Sequence, residues 1–278
     1  MRQFAANVSI LFPTLPYLDR FRAAADAGFT MIESWWPSDP FAEGITADDI
    51  ARKAEDHGLR VVLLNFAAGD MKAGDRGLAG DPTRGATFRD NVPVAIDLAR
   101  RLGCRKLNAL AGNALSESDR PAQLDLLAEN VAFAADAAAA AGMSVMLEAL
   151  NPHETPRYLL PGTDAVLGMI RRIGRPNVRF QLDVYHVAMA GEDPVEAVLR
   201  AGPVVGHVQL ADMPGRHEPG SGGLPFVAIL GALDEAGYRD PIGLEFVPTD
   251  PAAPDFTCVG RLGGTLASGR AAGEPTTG

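Results

Sequence analysis

Four oxygen-bearing side chains stand near the ends of consecutive apolar runs in the second half of the chain. They are Glu148 in "VMLEAL", Asp183 in "VRFQLDV", Gln209 in "VVGHVQLA" and Glu245 in "PIGLEFV". A carboxylate left alone among apolar residues costs several kcal/mol or becomes protonated, so each acid needs a partner. If the four side chains converge, a divalent cation would relieve the repulsion between the carboxylates. The alternative is that each acid is an ordinary strand-end residue in a solvated mouth.

The type of donor indicates which cation would bind. All four ligands would be hard oxygen donors, and no cysteine accompanies them. Such a set favours Mg²⁺ or Mn²⁺ over Zn²⁺.

The scaffold must bring the ends of these strands together. Eight short apolar runs are predicted strands: "FAANVSI" from Phe4, "MIESWW" from Met31, "VVLLNF" from Val61, "KLNALA" from Lys106, "VMLEAL" from Val145, "VRFQLDV" from Val178, "VVGHVQLA" from Val204 and "PIGLEFV" from Pro241. Helical patterns lie between them, at about 15–27, 46–57, 85–102, 121–141, 163–173, 193–201 and 223–236. Glycines such as Gly58 and Gly142 follow helical segments, where a left-handed residue ends a helix.

Alternation of strands and helices predicts an α/β fold with a parallel sheet. Eight units favour a single (β/α)8 TIM barrel, with an open doubly wound sheet as the alternative. The open sheet is less favoured because "ILFPTLP" follows the first strand, where a dinucleotide site would need a glycine-rich turn. We therefore predict a barrel over residues 1–247. A tail rich in Gly, Pro and Ala over residues 248–278 is predicted to be poorly ordered.

Composition excludes several classes of partner. The formal net charge of −10 and the pI near 5.0 argue against nucleic acid or an anionic membrane. Cys104 and Cys258 lie far apart, which indicates neither a disulfide framework nor a thiolate zinc site. The chain shows no signal peptide and no membrane span, so we expect a cytoplasmic protein that acts on small molecules.

Several motifs carry a family resemblance. "LEALNP", "QLDVYH", "HVQLADMPGRHEPGSG" and "GLEF" resemble the hydroxypyruvate isomerase family, a branch of the xylose-isomerase-like TIM barrels that includes 2-oxo-tetronate isomerases. The similarity covers roughly residues 4–247. It implies that the metal ligands are Glu148, Asp183, Gln209 and Glu245. It also implies that Glu148 and Glu245 are the paired acid and base, and that the protein forms a homodimer.

The resemblance predicts a reaction. A metal-dependent isomerase would interconvert hydroxypyruvate and tartronate semialdehyde (2-hydroxy-3-oxopropanoate) through an enediolate, with two glutamates moving the proton. Alternatives within the same barrel family are a 2-oxo-tetronate isomerase, a sugar 3-epimerase and a dehydratase. A barrel that binds a sugar acid without turning it over is the alternative from another class.

Three further residues are predicted to contact substrate. His186 and Arg216 match substrate-contact positions of the family, and Arg76 lies in the long loop 69–85, a length typical of functional lids. Arg216 offers a planar fork suited to a carboxylate. The alternatives are a core histidine for His186, pairing of Arg216 with Glu218, and a solvated loop position for Arg76.

Overall fold

Eight parallel strands form a closed barrel in the order of the sequence. The computed structural model describes residues 1–267. The strands are β1 (Phe4–Asn7), β2 (Met31–Ser34), β3 (Arg60–Asn65), β4 (Lys106–Ala109), β5 (Ser144–Glu148), β6 (Val178–Asp183), β7 (Val205–Leu210) and β8 (Ile242–Leu244). The barrel closes where β1 pairs with β8, with Phe4 opposite Ile242. The predicted (β/α)8 barrel is thereby confirmed, and an open sheet is excluded.

Helices connect the strands on the outside of the barrel. They are α1 (Tyr17–Asp26), α2 (Ser38–Ala42), α3 (Ala47–Asp56), α4 (Gly85–Arg101), α5 (Arg120–Ala140), α6 (Thr163–Ile173), α7 (Val184–Met189), α8 (Pro194–Ala201), α9 (Phe226–Glu235) and α10 (Cys258–Arg261). The seven predicted helices are present within three residues at each end. Gly58 and Gly142 follow their helices with φ of +64° and +67°, as predicted. The sequence did not reveal α2, α7 and α10, because six residues or fewer show no helical period.

The barrel interior is polar toward the carboxyl ends of the strands. Every strand contributes a buried polar side chain there or directly after its last residue: Asn7, Glu33, Asn65, Asn108, Glu148, Asp183, Gln209 and Glu245. Buried aliphatic and aromatic residues of strands and helices form one large core. Burial of polar groups at this density requires mutual hydrogen bonds, and these occupy one end of the barrel.

Residues 248–267 follow the last strand. They include α10, and Phe256 packs edge-on against Phe29 with ring centroids 5.0 Å apart. The remainder of the predicted tail, 268–278, lies outside the described residues. Among residues 1–267, no helix combines the length and apolar character that crossing a bilayer requires.

Candidate active site

An acidic cluster lies where β5 and β6 end. Glu148 and Asp183 are the last residues of these strands, and His186 lies three residues into the chain that follows. One ligand atom from each of these three buried residues lies within 4.8 Å of the other two. Asp183 also begins α7, because its Oδ1 accepts the backbone N–H of Tyr185 over 2.8 Å. This cap fixes the carboxylate and leaves Oδ2 facing the cluster.

Glu245 joins the cluster from the other side of the barrel. Its Oε1 accepts from Trp35 Nε1 over 2.6 Å and from Asn7 Nδ2 over 2.8 Å. Its Oε2 accepts from Arg216 Nη2 over 2.8 Å, and the same nitrogen lies 3.2 Å from Asp183 Oδ2. Arg216 therefore supplies positive charge between two acids that come from different strands.

The loop after β7 positions this arginine. Asp212 is fully buried, and its carboxylate accepts four backbone N–H groups of the loop at 2.8–3.1 Å, from Met213, Gly220, Gly222 and Leu224. Arg216 has φ of +58°, a left-handed conformation that is rare outside glycine. The alternative partner, Glu218, instead accepts from Thr249 N over 2.9 Å. The loop thus holds a strained residue so that its guanidinium reaches the barrel.

Burial and mutual repulsion raise the pKa values of the three carboxyl groups in the cluster. Burial, reinforced by Glu245 and Asp183, raises the pKa of Glu148 well above its usual range. Burial raises the pKa of Asp183 to about 7 against the opposing effect of Arg216. Burial also raises the pKa of Glu245, again opposed by Arg216. One arginine is therefore insufficient to keep three carboxylates fully ionised, and added positive charge would stabilise the ionised cluster.

His186 presents a donor to the site. Its Nδ1 accepts the backbone N–H of Asn151 over 3.2 Å, and a backbone amide can only donate. The proton of the neutral ring therefore lies on Nε2, which faces Asp183 Oδ2 at 3.8 Å. Burial lowers the pKa of His186 well below its usual value, with further lowering by Arg216 and Arg76. A ring with this tautomer donates a hydrogen bond and does not ligate a metal through Nε2.

Gln209 lies next to the cluster and is fixed by other groups. Its Nε2 donates to Glu33 Oε1 over 2.7 Å, and its Oε1 accepts from Gln181 Nε2 over 2.7 Å. An amide oxygen has two lone pairs, so one remains available. Below it, His207 Nε2 contacts Glu33 Oε2 at 2.7 Å, a supporting position one pleat deeper.

Arg76 and Trp35 lie at the rim. Arg76 Nη1 donates to the backbone carbonyls of Asp75 and Met71 over 2.7 and 3.1 Å, which ties the side chain to its own loop. Its charge nonetheless reaches His186, whose pKa it lowers. Trp35 is anchored on Glu245 through its indole N–H.

The donors present fit a divalent cation. Glu148, Asp183 and Glu245 are buried carboxylates whose pKa values are all raised. An unrelieved group of this kind is what a cation stabilises, and Gln209 can add a neutral oxygen. Because His186 points a protonated nitrogen inward, the set that remains consists of oxygen donors, which suits Mg²⁺ or Mn²⁺.

Sequence reasoning did not identify several residues of the site. Glu33 and Asn7 support Gln209 and Glu245, and Asn108 Nδ2 donates to Glu148 Oε2 over 2.8 Å. Glu33 carried a signal, since it is an acid inside the apolar run "MIESWW". Asn7 and Asn108 gave none, because an isolated asparagine at a strand end is common in turns.

Glu154 is a further acid at the mouth. It accepts from Tyr185 Oη over 2.5 Å and from Asn151 Nδ2 over 2.9 Å. The bond from Tyr185 ties the loop after β5 to α7, and the bond from Asn151 holds the loop itself. Glu154 is exposed, so it can contact a ligand that enters from solvent.

The opposite end of the barrel has a groove of about 440 Å³. Arg2, Asp234 and Arg239 line it, and both arginines pair with the aspartate. None of the sequence-predicted site residues lines this groove.

A profile of the family described as xylose isomerase-like TIM barrel matches residues 21–256. The chain belongs to this family. A relative from Streptomyces coelicolor, named "Putative hydroxypyruvate isomerase", is 43% identical over 92% of this chain and 95% of its own. A 2-oxo-tetronate isomerase from Pectobacterium atrosepticum is 35% identical over 89% of this chain and 93% of its own. The recognised family and the expectation of an isomerase are thereby confirmed.

Solved structures agree on the fold. A Brucella melitensis protein described as AP endonuclease, family 2, superposes with a TM-score of 0.87 at 37% identity, covering 94% of this chain and 99% of that one. A D-psicose 3-epimerase from Clostridium cellulolyticum superposes with a TM-score of 0.74 at 20% identity, covering 96% and 88%. The second likeness shows only the shared barrel.

Proposed function

We propose that this isomerase interconverts hydroxypyruvate and tartronate semialdehyde. The observation that carries the proposal is the pairing of two buried glutamates, Glu148 and Glu245, around Asp183 and Arg216. Burial raises the pKa of both acids, which makes their carboxylates stronger bases than usual, so each can accept a proton and return it. The 43% identical relative named for hydroxypyruvate supports the choice of substrate.

The cation is part of the proposal. Glu148, Asp183, Gln209 and Glu245 would hold Mg²⁺ or Mn²⁺, and the bound cation would act as a Lewis acid that stabilises negative charge developing on the substrate. Arg216 and Arg76 place two positive charges near His186, and this favours a substrate with a carboxylate over a neutral sugar.

The protein's residues then divide the work. One glutamate removes a proton from C3 of hydroxypyruvate to give the enediolate, and the hydroxyl proton passes from O3 to O2. The other glutamate then adds a proton at C2 while O3 becomes the aldehyde oxygen. The reverse reaction exchanges the two roles, so each glutamate is the base in one direction and the acid in the other. His186 Nε2–H donates to a substrate oxygen as charge develops on it, and Arg216 orients the carboxylate.

Solvent-exchange NMR tests this proposal. Protein loaded with Mg²⁺ should convert hydroxypyruvate in D2O to tartronate semialdehyde with deuterium at C2, and chelation should stop the reaction. Glu129→Gln, on the exposed face of α5, serves as the control variant and should remain fully active. Binding of hydroxypyruvate without turnover or exchange would refute an isomerase in favour of a binding barrel.

A four-carbon substrate is the second candidate. It is favoured by relatives named 2-oxo-tetronate isomerase at 34–36% identity. The same assay with 2-oxo-tetronate decides between the two: a kcat/KM far above that for hydroxypyruvate would reassign the substrate and leave the chemistry of the two glutamates unchanged.

A further inference from the structure

Glu33 is a fully buried acid for which the proposed reaction has no direct use. It lies on β2, and its side chain has no exposed surface. Its carboxylate reaches across the barrel interior to β7, where Oε2 contacts His207 Nε2 at 2.7 Å and Oε1 accepts from Gln209 Nε2 over 2.7 Å. Asn7 Nδ2, from β1, lies 3.2 Å from Oε1. Burying a carboxylate in the barrel interior is costly, so its contacts with two other strands indicate a specific role.

The hydrogen-bonding partners of Glu33 each present a donor atom to it. Within residues 1–267, His207 Nδ1 is buried without a hydrogen-bond partner. The ring therefore carries its proton on Nε2 and donates to Glu33, because an orphaned N–H costs more than an orphaned lone pair. Asn7 Oδ1 accepts the backbone N–H of Ser9 over 3.0 Å, so its amide nitrogen must face the acids. All three neighbours thus present donors, and only a carboxylate accepts on both oxygens.

The opposing strand leaves space for this group. Gly243 on β8 has no side chain, and a Cβ built there would lie 2.4 Å from Glu33 Oε2. A methyl group cannot approach an oxygen so closely. The space at Gly243 and the three donors therefore define a seat for one carboxylate.

The seat determines the orientation of two residues of the site. Because Gln209 Nε2 donates to Glu33, the Gln209 Oε1 atom points away from Glu33. This oxygen accepts from Gln181 Nε2 and keeps one lone pair free. The amide nitrogen of Asn7 is shared between Glu33 Oε1 and Glu245 Oε1, at 3.2 and 2.8 Å. Glu33 therefore acts on an amide oxygen and on a glutamate without touching the reacting atoms.

We infer that Glu33 is a positioning residue: it fixes which atom of the Gln209 carboxamide faces the acidic cluster and, through Asn7, where the Glu245 carboxylate lies. The inference rests on the proposed function, since Gln209 and Glu245 are the groups that it orients.

Two variants separate position from charge. Glu33→Gln keeps the shape but places an NH₂ group against donors, whereas Glu33→Asp keeps the charge but withdraws it by one methylene. Positioning predicts that both weaken Mn²⁺ binding, measured by EPR titration without substrate, by about ten- to a hundredfold. It also predicts that kcat falls more than KM rises. A simple charge effect predicts loss in Glu33→Gln alone, which would overturn the inference.

Stability needs its own control. Asn177 Nδ2 donates to the Ala135 carbonyl over 2.8 Å at the start of β6, at the end of the barrel remote from the cluster. Asn177→Ala should lower the melting temperature with no change in Mn²⁺ affinity. Parallel loss of melting temperature and Mn²⁺ affinity in this control would reduce the effect at Glu33 to general destabilisation and overturn the inference.

Gly243→Ala would displace the Glu33 carboxylate from the β8 side without changing Glu33 itself. This variant therefore tests the inference even if one Glu33 variant fails to fold. It should weaken Mn²⁺ binding without a change of charge, and unchanged binding in a folded Gly243→Ala protein would contradict the inference. Wild-type protein that binds Mn²⁺ but turns over no 2-oxo acid would refute the proposed reaction alone, because the binding measurements need no turnover.

Discussion

Arg216 Nη2 donates to Glu245 Oε2 over 2.8 Å, although the arginine lies 29 residues earlier in a loop of another strand. The same nitrogen lies 3.2 Å from Asp183 Oδ2, so one cation serves two acids that would also bind a metal. Arg216 therefore stands in a double relation to the site: it attracts a substrate anion and repels a divalent cation.

From this relation we expect Arg216→Met to separate the two kinds of binding. Loss of a charge-assisted bond to the substrate carboxylate should lower kcat/KM by about ten- to a hundredfold, largely through KM. Mn²⁺ affinity without substrate should rise, because a neighbouring positive charge is gone. Steady-state kinetics and calorimetric titration measure the two effects. Arg216→Lys should raise KM less than Arg216→Met does, because lysine keeps the positive charge. It should not recover the wild-type KM, because lysine lacks the planar guanidinium fork. Weaker Mn²⁺ binding in Arg216→Met would contradict the assigned position.

The two glutamates should respond alike in turnover. Glu148→Gln and Glu245→Gln should each lower kcat by at least about a thousandfold, because neither amide can take the proton. Quenched time points analysed by NMR give kcat, and deuterium incorporation from D2O reports proton transfer.

Glu148→Gln should also stabilise the metal-free protein, because it removes an acid whose ionised form is disfavoured by burial and by the charges of Glu245 and Asp183. The melting temperature with chelator present tests this against Glu129→Gln. Conversion of hydroxypyruvate to C2-deuterated tartronate semialdehyde at the wild-type rate in either active-site variant would show that another group moves the proton.

Asp212 offers a test of loop organisation. Asn at this position replaces one acceptor oxygen with an NH₂ group that faces backbone N–H donors. We expect Asp212→Asn to lower kcat/KM about as much as Arg216→Met, because the arginine loses its support. The double variant should be little worse than either single one, as expected for residues that act as a unit.

Limited proteolysis of the segment 212–224 provides the structural readout for Asp212→Asn. Cleavage should become faster in the variant than in the wild-type protein. An unchanged kcat/KM together with an opened loop would separate Arg216 from this loop.

The stability of the metal-free protein should depend on pH with an unusual sign. The pKa of Asp183 is raised from 3.8 to about 7, so the folded state binds more protons than the unfolded state between these values. The contribution of Asp183 to the free energy of unfolding is therefore full below pH 3.8 and is lost as pH rises through about 7. Chemical denaturation across this interval should show the decline, and Asp183→Asn should flatten it.

Saturating Mn²⁺ should reverse the trend, since the cation displaces protons and binds more tightly as pH rises. A metal-free protein whose stability rises with pH over the same interval would contradict the raised pKa of the cluster.

Much of the scaffold follows from the sequence because its signals are local. Runs such as "VMLEAL" and glycines such as Gly142 report strand and helix ends without knowledge of the rest. The acids of β5, β6 and β8 could be placed together because parallel strands share one carboxyl edge. Glu33 differed only in lying on a strand distant in sequence from that group, and the reasoning applied to Glu148 would have singled it out.

Other features depend on contacts that no short pattern contains. Asp183 is both the last residue of β6 and the cap of α7, and the second role appears only once the chain turns. Arg216 does not pair with the nearby Glu218, because the Glu218 carboxylate accepts a hydrogen bond from the Thr249 backbone N–H. Competition of this kind is decided by packing between distant segments.

The amide of Asn7, which is shared between Glu33 and Glu245, links the floor of the pocket to its reactive wall. Changes to the floor would consequently alter reactivity along with shape. Directed evolution toward larger substrates should therefore begin with the surface loops, where a change in size does not disturb the groups that move protons.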